Sequence, residues 1–87
     1  MESINSGRRG HLEIIASILD ACRYSTRKTR MISQCNLSYP QFMGYLDLLL
    51  KANLLLIENN RQSLLFTVSG KGKDFLKAYS SVMTMLE

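Results

Sequence analysis

The fold is decided by a short connection between two predicted helices in residues 28–51, KTRMISQCNLSYPQFMGYLDLLLK. Asn36 can end the first helix, because asparagine tolerates the left-handed backbone conformation. Ser38 then starts the second helix as its N-cap, and Gln41 stands three residues later, which completes a capping box. Pro40 is compatible with the first helical turn, where an N–H group has no helical partner in any case. Two helices joined by about two or three residues have the spacing of a helix-turn-helix.

Regular apolar spacing predicts one further helix on each side of this motif. On the N-terminal side, apolar residues recur at three- and four-residue steps from about residue 10 to 23 and cover about half of the helix. This width favours either a helix that packs on two sides or one deeply embedded in a small fold. On the C-terminal side, Ser69 is the expected N-cap of a last helix that runs to the end of the chain. The apolar stripe of this helix has the spacing of a coiled-coil seam or of a plain core face: Phe75, Tyr79, Val82 and Leu86, flanked by Leu76 and Met83.

Two predicted strands, residues 54–58 and 63–68, lie between the third and fourth helices. Asn59 and Asn60 separate them, and because asparagine accepts positive φ, a tight hairpin turn is expected there. Arg61 then lies at the tip of the hairpin. Pairing around that turn places one set of apolar side chains on the same face: Leu55, Ile57, Leu64, Phe66 and Val68.

The order helix, helix, helix, hairpin, helix predicts an α+β fold that is mainly α. Three helices and a two-stranded wing form a winged helix-turn-helix, here with an extra C-terminal helix. We expect a single domain over residues 1–87, with the winged helix-turn-helix at about 10–68 and a C-terminal dimerisation helix at 69–87.

Composition and charge restrict the function. The 87 residues include 11 basic and 7 acidic ones, which gives a net charge of +4. Four of the basic residues lie in residues 23–30, RYSTRKTR, and no acid lies between Asp20 and Asp47. This concentration favours a polyanionic partner, although a solvated helix end explains it equally well. The longest apolar run is residues 54–57, and residues 1–5 lack the layout of a signal peptide, so we expect a cytoplasmic protein without a membrane partner.

The sequence offers no candidate catalytic or metal site. Cys22 and Cys35 lie thirteen residues apart and His11 is the one histidine, so the ligands of a structural zinc site are missing. Both cysteines are expected to be buried thiols. Residues 69–73, SGKGK, lack the spacing of a P-loop and are better explained by helix capping. We therefore expect neither an enzyme nor a cofactor.

Three stretches of the chain carry a family resemblance: LEIIASIL at 12–19, KTRMISQCNLSYPQFMGYLDLLLKANLL at 28–55 and FTVSGKGKDFLKAY at 66–79. They resemble an archaeal winged-helix family of small basic DNA-binding proteins, which includes the ten-kilodalton Sulfolobus chromatin protein and predicted transcriptional regulators. The resemblance covers about residues 8–80. It implies DNA binding by a homodimer built through the C-terminal helix. The residues of the expected dimer interface are Phe75, Tyr79, Val82, Met83 and Leu86.

The expected DNA contacts follow from the geometry of helix-turn-helix proteins, in which the start of the second helix meets base edges while basic flanks hold phosphates. The residues that approach the major groove of double-stranded DNA are then Ser38, Tyr39, Gln41 and Gly44. Gln41 can read adenine bidentately unless the capping box occupies its side chain, and both roles stay open. The expected phosphate contacts lie beside the second helix and on the wing: Arg27, Lys28, Thr29, Arg30 and Arg61.

The sequence thus favours a dimeric, nucleoid-associated DNA-binding protein, either a transcriptional regulator or a chromatin protein, with the third helix (about 38–51) in the major groove. The alternative is a winged helix used as a protein–protein interaction module without DNA binding. The broad apolar arc of the first helix and an exposed Leu48 suit that alternative. Salt-dependent binding to DNA of arbitrary sequence separates the two hypotheses.

Overall fold

The computed structural model describes residues 10–87. Its elements follow the predicted order, with one additional short strand: α1 His11–Ala21, β1 Thr26–Arg27, α2 Lys28–Cys35, α3 Tyr39–Lys51, β2 Leu55–Asn59, β3 Leu64–Val68 and α4 Gly70–Met85. The predicted winged helix-turn-helix with an extra C-terminal helix is confirmed. Residues 1–5, on which the signal-peptide expectation rests, lie outside the described residues. Within residues 10–87, no helix is long and apolar enough to cross a membrane.

The helix-turn-helix forms as its local signals predict. Asn36 ends α2 in the left-handed conformation with a φ of 54°. The Ser38 hydroxyl accepts a hydrogen bond from the Gln41 backbone N–H at 3.3 Å, and the Gln41 side chain accepts one from the Ser38 backbone N–H at 3.3 Å. The capping box is therefore complete, and it fixes where α3 begins relative to α2.

The wing has the predicted face but not the predicted turn. In the antiparallel pair, Leu55 lies opposite Val68, and Asn59 still belongs to β2, where it lies opposite Leu64. The expected tight turn at Asn59 and Asn60 is therefore wrong, and residues 60–63 form the loop. The Asn60 side-chain oxygen accepts hydrogen bonds from the backbone N–H groups of residues 62 and 63, both at 2.9 Å, so the loop needs no positive φ.

A third strand, β1, was not predicted. Thr26 lies opposite Phe66 and Arg27 opposite Leu65, so β3 is the central strand in the order β1-β3-β2. The hydrogen bond from the Val68 N–H to the Cys22 carbonyl, 2.9 Å long, holds the end of α1 against the same strand. A strand of two polar residues has too little alternation to be recognised from sequence.

The core lies between the helices and the inner face of the sheet. Its buried apolar residues come from every helix and from β2 and β3: Ala16, Ile18, Leu19, Cys22, Met31, Cys35, Phe42, Leu46, Leu49, Leu55, Phe66, Val68 and Leu76. The C-terminal half of α1 is deeply embedded, with Ile18 and Leu19 fully buried, whereas Leu12 near its start is exposed. The broad apolar arc of α1 thus serves the core at one end and borders an open groove at the other.

The start of α4 is fastened to the end of α3. The Ser69 hydroxyl accepts a hydrogen bond from the Gly72 N–H at 2.9 Å, which confirms the predicted N-cap, and donates one to the Asn53 carbonyl at 2.6 Å. A side chain at Gly72 would collide with the Leu54 carbonyl oxygen and with Val68 Cγ2, so glycine permits the close approach of α4 to the backbone of Leu54 and to β3. This contact fixes the direction in which α4 leaves the winged helix.

Candidate nucleic-acid interface

The outer face of α3 is exposed along the length of the helix. Its exposed residues are Pro40, Gln41, Gly44, Asp47, Leu48 and Lys51. Among residues 10–87, no atom outside the local helix lies within 4 Å of a Cβ built on Gly44. A glycine at this position leaves the helix backbone accessible to a large neighbouring surface. Tyr39, at the start of the helix, is also exposed.

The single acid of α3 is compensated by the single base of the same helix. Asp47 Oδ2 lies 3.0 Å from Lys51 Nζ, one helical turn away, and both side chains are largely exposed. The pair leaves no net charge on the outer face of α3. The carboxylate therefore repels a polyanion less than an isolated Asp47 would.

Gln41 has one half of its amide engaged and the other half open. Its Oε1 atom accepts hydrogen bonds from the Ser38 backbone N–H at 3.3 Å and from the Ser38 hydroxyl at 3.1 Å. Bidentate pairing with adenine needs both the carbonyl and the NH2 group of the amide. In this geometry Gln41 can donate from its NH2 group, but its carbonyl belongs to the capping box.

The basic segment is assembled at the start of α2. Arg27, Thr29 and Arg30 line an open polar cleft of about 860 Å³ that the end of α1 closes on its other side. Arg27 is the N-cap residue of α2, and arginine carries no acceptor for the N–H groups of the first helical turn. These N–H groups and the adjacent cations are suited to bind an anion such as a phosphate. Lys28 is half-buried beside them.

One acid reaches this cleft. Asp20, at the end of α1, lies on its wall, and its carboxylate binds the guanidinium of Arg23. The negative charge of Asp20 is thus partly offset, and the start of α2 keeps its positive character.

The wing contributes one cation and several apolar side chains. Arg61 is exposed in the loop of residues 60–63. Ile57 and Leu64 share the inner face of the sheet with the core residues, but they lie beyond the edge of the core and are about half exposed. The predicted common face is therefore correct, while its outer half is not buried.

An apolar groove lies between the start of α1 and the end of α4. It contains every residue of the expected dimer interface: Phe75, Tyr79, Val82, Met83 and Leu86. Val82 is 52% exposed and Leu86 is 74% exposed, although both are apolar. By contrast, Leu76 on the flank of the same stripe is buried in the core. The stripe thus serves the core at its start and remains uncovered at its end.

One contact of α3 does not follow from the sequence pattern. His11 Nδ1 lies 2.6 Å from the hydroxyl oxygen of Tyr45, and this hydrogen bond joins the start of α1 to α3. The two residues are 34 positions apart, and no spacing rule links them. Because His11 also lines the α1–α4 groove, the groove and α3 are structurally connected.

Within residues 10–87, no three His, Cys, Asp or Glu side chains are grouped to hold a metal ion.

The chain belongs to the winged helix-turn-helix family, whose model matches residues 8–87. Among solved structures, it is similar to Sso10a-2, a DNA-binding protein from Sulfolobus solfataricus. The two share 27% sequence identity and a TM-score of 0.79, over 88% of this chain and 81% of that one. The resemblance to an archaeal winged-helix family is thereby confirmed.

A second solved structure shares the fold alone. It is the multiple antibiotic-resistance repressor MarR from Listeria monocytogenes, with 18% identity and a TM-score of 0.60. The alignment covers 86% of this chain but only 56% of the repressor. Comparison with curated proteins gives no match.

Proposed function

We propose that this protein is a homodimer that binds double-stranded DNA with α3 in the major groove. It acts without catalysis, as a transcriptional regulator or a chromatin protein of the nucleoid. The observation that carries the proposal is the outer face of α3, which is open at Gly44. The cations at the start of α2 support it. Membership of the winged helix-turn-helix family supports it, as does the similarity to a DNA-binding protein of Sulfolobus solfataricus.

The two parts of the surface have different roles in this proposal. Arg27, Lys28, Thr29 and Arg30 hold phosphates at the start of α2, and Arg61 does so from the wing. The capped start of α3, with Ser38, Tyr39 and Gln41, approaches the base edges. Gly44 allows the helix to lie deep in the groove, because no side chain separates its backbone from the bases.

The dimer is proposed to form through the apolar groove between α1 and α4. Residues 69–87 then act as a dimerisation helix attached to the winged helix of residues 10–68. Isolated exposed apolar residues are ordinary on a protein surface, but here they form one continuous face. A second copy of the chain presents the same face and is a partner of matching chemistry.

Titrations at several salt concentrations test DNA binding. The wild-type chain is expected to bind a duplex of arbitrary sequence with an affinity that falls steeply with salt, because each neutralised phosphate releases counterions. Arg30→Ala should make the negative slope of log K against log salt shallower by about 0.9, the value for one phosphate contact. Lys77→Ala removes the same charge from the exposed surface of α4, and it should leave the slope unchanged. Binding that does not depend on salt, or no binding, would contradict the proposal.

A protein–protein interaction module is the second candidate. The exposed apolar residues of the wing favour it, since Leu56, Ile57 and Leu64 are all about half exposed and add nothing to phosphate binding. If the chain fails to bind duplex DNA even at low salt, the result favours the protein–protein interaction module over DNA binding.

A further inference from the structure

The outer face of α3 has few groups left for hydrogen bonds to bases. Asp47 and Lys51 bind each other, and the carbonyl of Gln41 binds Ser38. These are the groups that would otherwise read cytosine, guanine and adenine, respectively, in the major groove. The remaining side chains at the centre of the face are apolar or absent.

Leu48 is the principal apolar group on this face. It is 50% exposed, although it belongs to a helix whose other leucines are buried or half-buried. It follows Gly44 by four residues and therefore lies on the same side of α3, one turn further along. Gly44 leaves open space before it, so that a surface can approach Leu48 closely.

We propose that α3 recognises thymine through contact between the side chain of Leu48 and the 5-methyl group of the base. This inference rests on the proposed function and names the chemical class of its ligand: duplex DNA that presents thymine methyl groups in the major groove. Thymine is the one base that carries a methyl group in that groove, and apolar side chains are its natural contact. The NH2 group of Gln41 adds a single donor to a base acceptor.

The spacing of the two side chains fits a short recognition site. Leu48 is seven residues beyond Gln41, which is about 10 Å along the helix at 1.5 Å per residue. Base pairs of a duplex are stacked about 3.4 Å apart, so the two side chains span roughly three base pairs. Specificity then depends on a methyl group near one end of this span and on one hydrogen bond near the other.

The test removes the methyl group and nothing else. Binding of the full chain is measured by fluorescence anisotropy with two duplexes of the same alternating A·T sequence, one with thymine and one with deoxyuridine. Burial of one methyl-sized group contributes about fourfold in affinity, so the thymine duplex should be bound about fourfold more tightly or more. A converse pair, G·C duplexes with cytosine or 5-methylcytosine, adds the same methyl group and should gain affinity.

Variants assign the effect to Leu48. Leu48→Ala should bring the ratio of the two affinities close to one, and Leu48→Asn, which keeps the size and branching of the side chain, should do the same. Leu56→Ala is the matched control, because Leu56 is 48% exposed but lies on the wing, and it should preserve the ratio.

Three results overturn the inference, and they can be told apart. Equal affinity of the wild-type chain for the thymine and deoxyuridine duplexes rejects thymine recognition while leaving DNA binding intact. An undiminished ratio in both Leu48 variants rejects Leu48 as the contact. Absence of salt-dependent binding to every duplex rejects the proposed function itself, and the inference with it.

Discussion

Gly72 is packed so closely that it leaves no room for a side chain. A Cβ built there lies 2.5 Å from Val68 Cγ2 and collides with the Leu54 carbonyl oxygen, which is backbone and cannot move aside. Gly72→Ala should therefore destabilise the fold by about 1–3 kcal/mol, the usual cost of overpacking. Gly44→Ala is the matched control, because its Cβ meets open space, and it should stabilise α3 by about 0.5–1 kcal/mol. Urea unfolding measures both, and equal stability of the two variants would contradict the described contact.

Cys22 predicts how stability depends on alkaline pH. Burial, together with a smaller effect of the charge of Cys35, raises the pKa of its thiol from 9.0 to about 12. Between these values the unfolded thiol is ionised while the folded one keeps its proton, so the unfolded state binds fewer protons. The free energy of unfolding should consequently fall as the pH rises from 9.0 towards 12, and below 9.0 this group should have no effect.

The comparison with Cys22→Ala isolates this effect. The variant loses packing and should be less stable at neutral pH, but its stability should fall less steeply above pH 9.0 than that of the wild type. Urea unfolding over the alkaline range gives both curves. Parallel curves would show that Cys22 ionises equally easily in both states.

The start of α3 is stabilised by the capping box in its first turn. The Ser38 hydroxyl satisfies the Gln41 N–H, and the Gln41 side chain returns a hydrogen bond to the Ser38 N–H. Ser38→Ala removes the first of these and should lower the free energy of unfolding by about 1 kcal/mol. Ser33→Ala replaces an exposed serine inside α2 and should change stability much less. A cost at Ser33 equal to that at Ser38 would show that capping is not the cause.

The elements with strong local signals were predictable, and the others were not. Asn36 marks a helix end because it tolerates the left-handed conformation, and Ser38 and Ser69 mark helix starts with their hydroxyl groups. The bounds of α2, α3 and the start of α4 therefore follow closely from sequence. The conformation of the wing loop depends on the hydrogen bonds that the Asn60 side chain accepts from the backbone. The dipeptide Asn59-Asn60 does not by itself predict these hydrogen bonds. The strand β1 forms because it pairs with β3, and the two residues of β1 do not by themselves predict this pairing.

The exposed residues of the candidate site could be predicted from sequence, but the contacts between distant segments could not. The open outer face of α3 and the exposed cations beside α2 follow from helical periodicity and charge. The Asp47–Lys51 pair is compatible with their spacing, but the hydrogen bond between His11 and Tyr45 depends on tertiary packing alone. The periodicity of apolar residues does not predict such contacts between distant segments.

For the whole molecule, the uncovered end of α4 predicts a dimer. Val82→Asp places a charge in the apolar groove, where it is unfavourable once a second copy excludes water. Sedimentation should then show a monomer, while the helical circular dichroism signal is kept because Val82 is exposed in the protomer. Ser80→Asp adds the same charge on the opposite side of α4 and should leave the dimer intact. A wild-type chain that sediments as a monomer at high concentration would contradict the proposed dimer.

The most direct test of DNA binding through α3 is a titration of duplex DNA with Gly44→Glu and Gly44→Gln. Both side chains fit the protomer, because no described atom outside the local helix lies within 4 Å of a Cβ at this position. Both also occupy the outer face of α3, but only glutamate adds a negative charge, which DNA phosphates would repel. We predict that Gly44→Glu loses binding while remaining folded, and that Gly44→Gln keeps part of it. Wild-type affinity in Gly44→Glu would show that α3 is not the helix that contacts DNA.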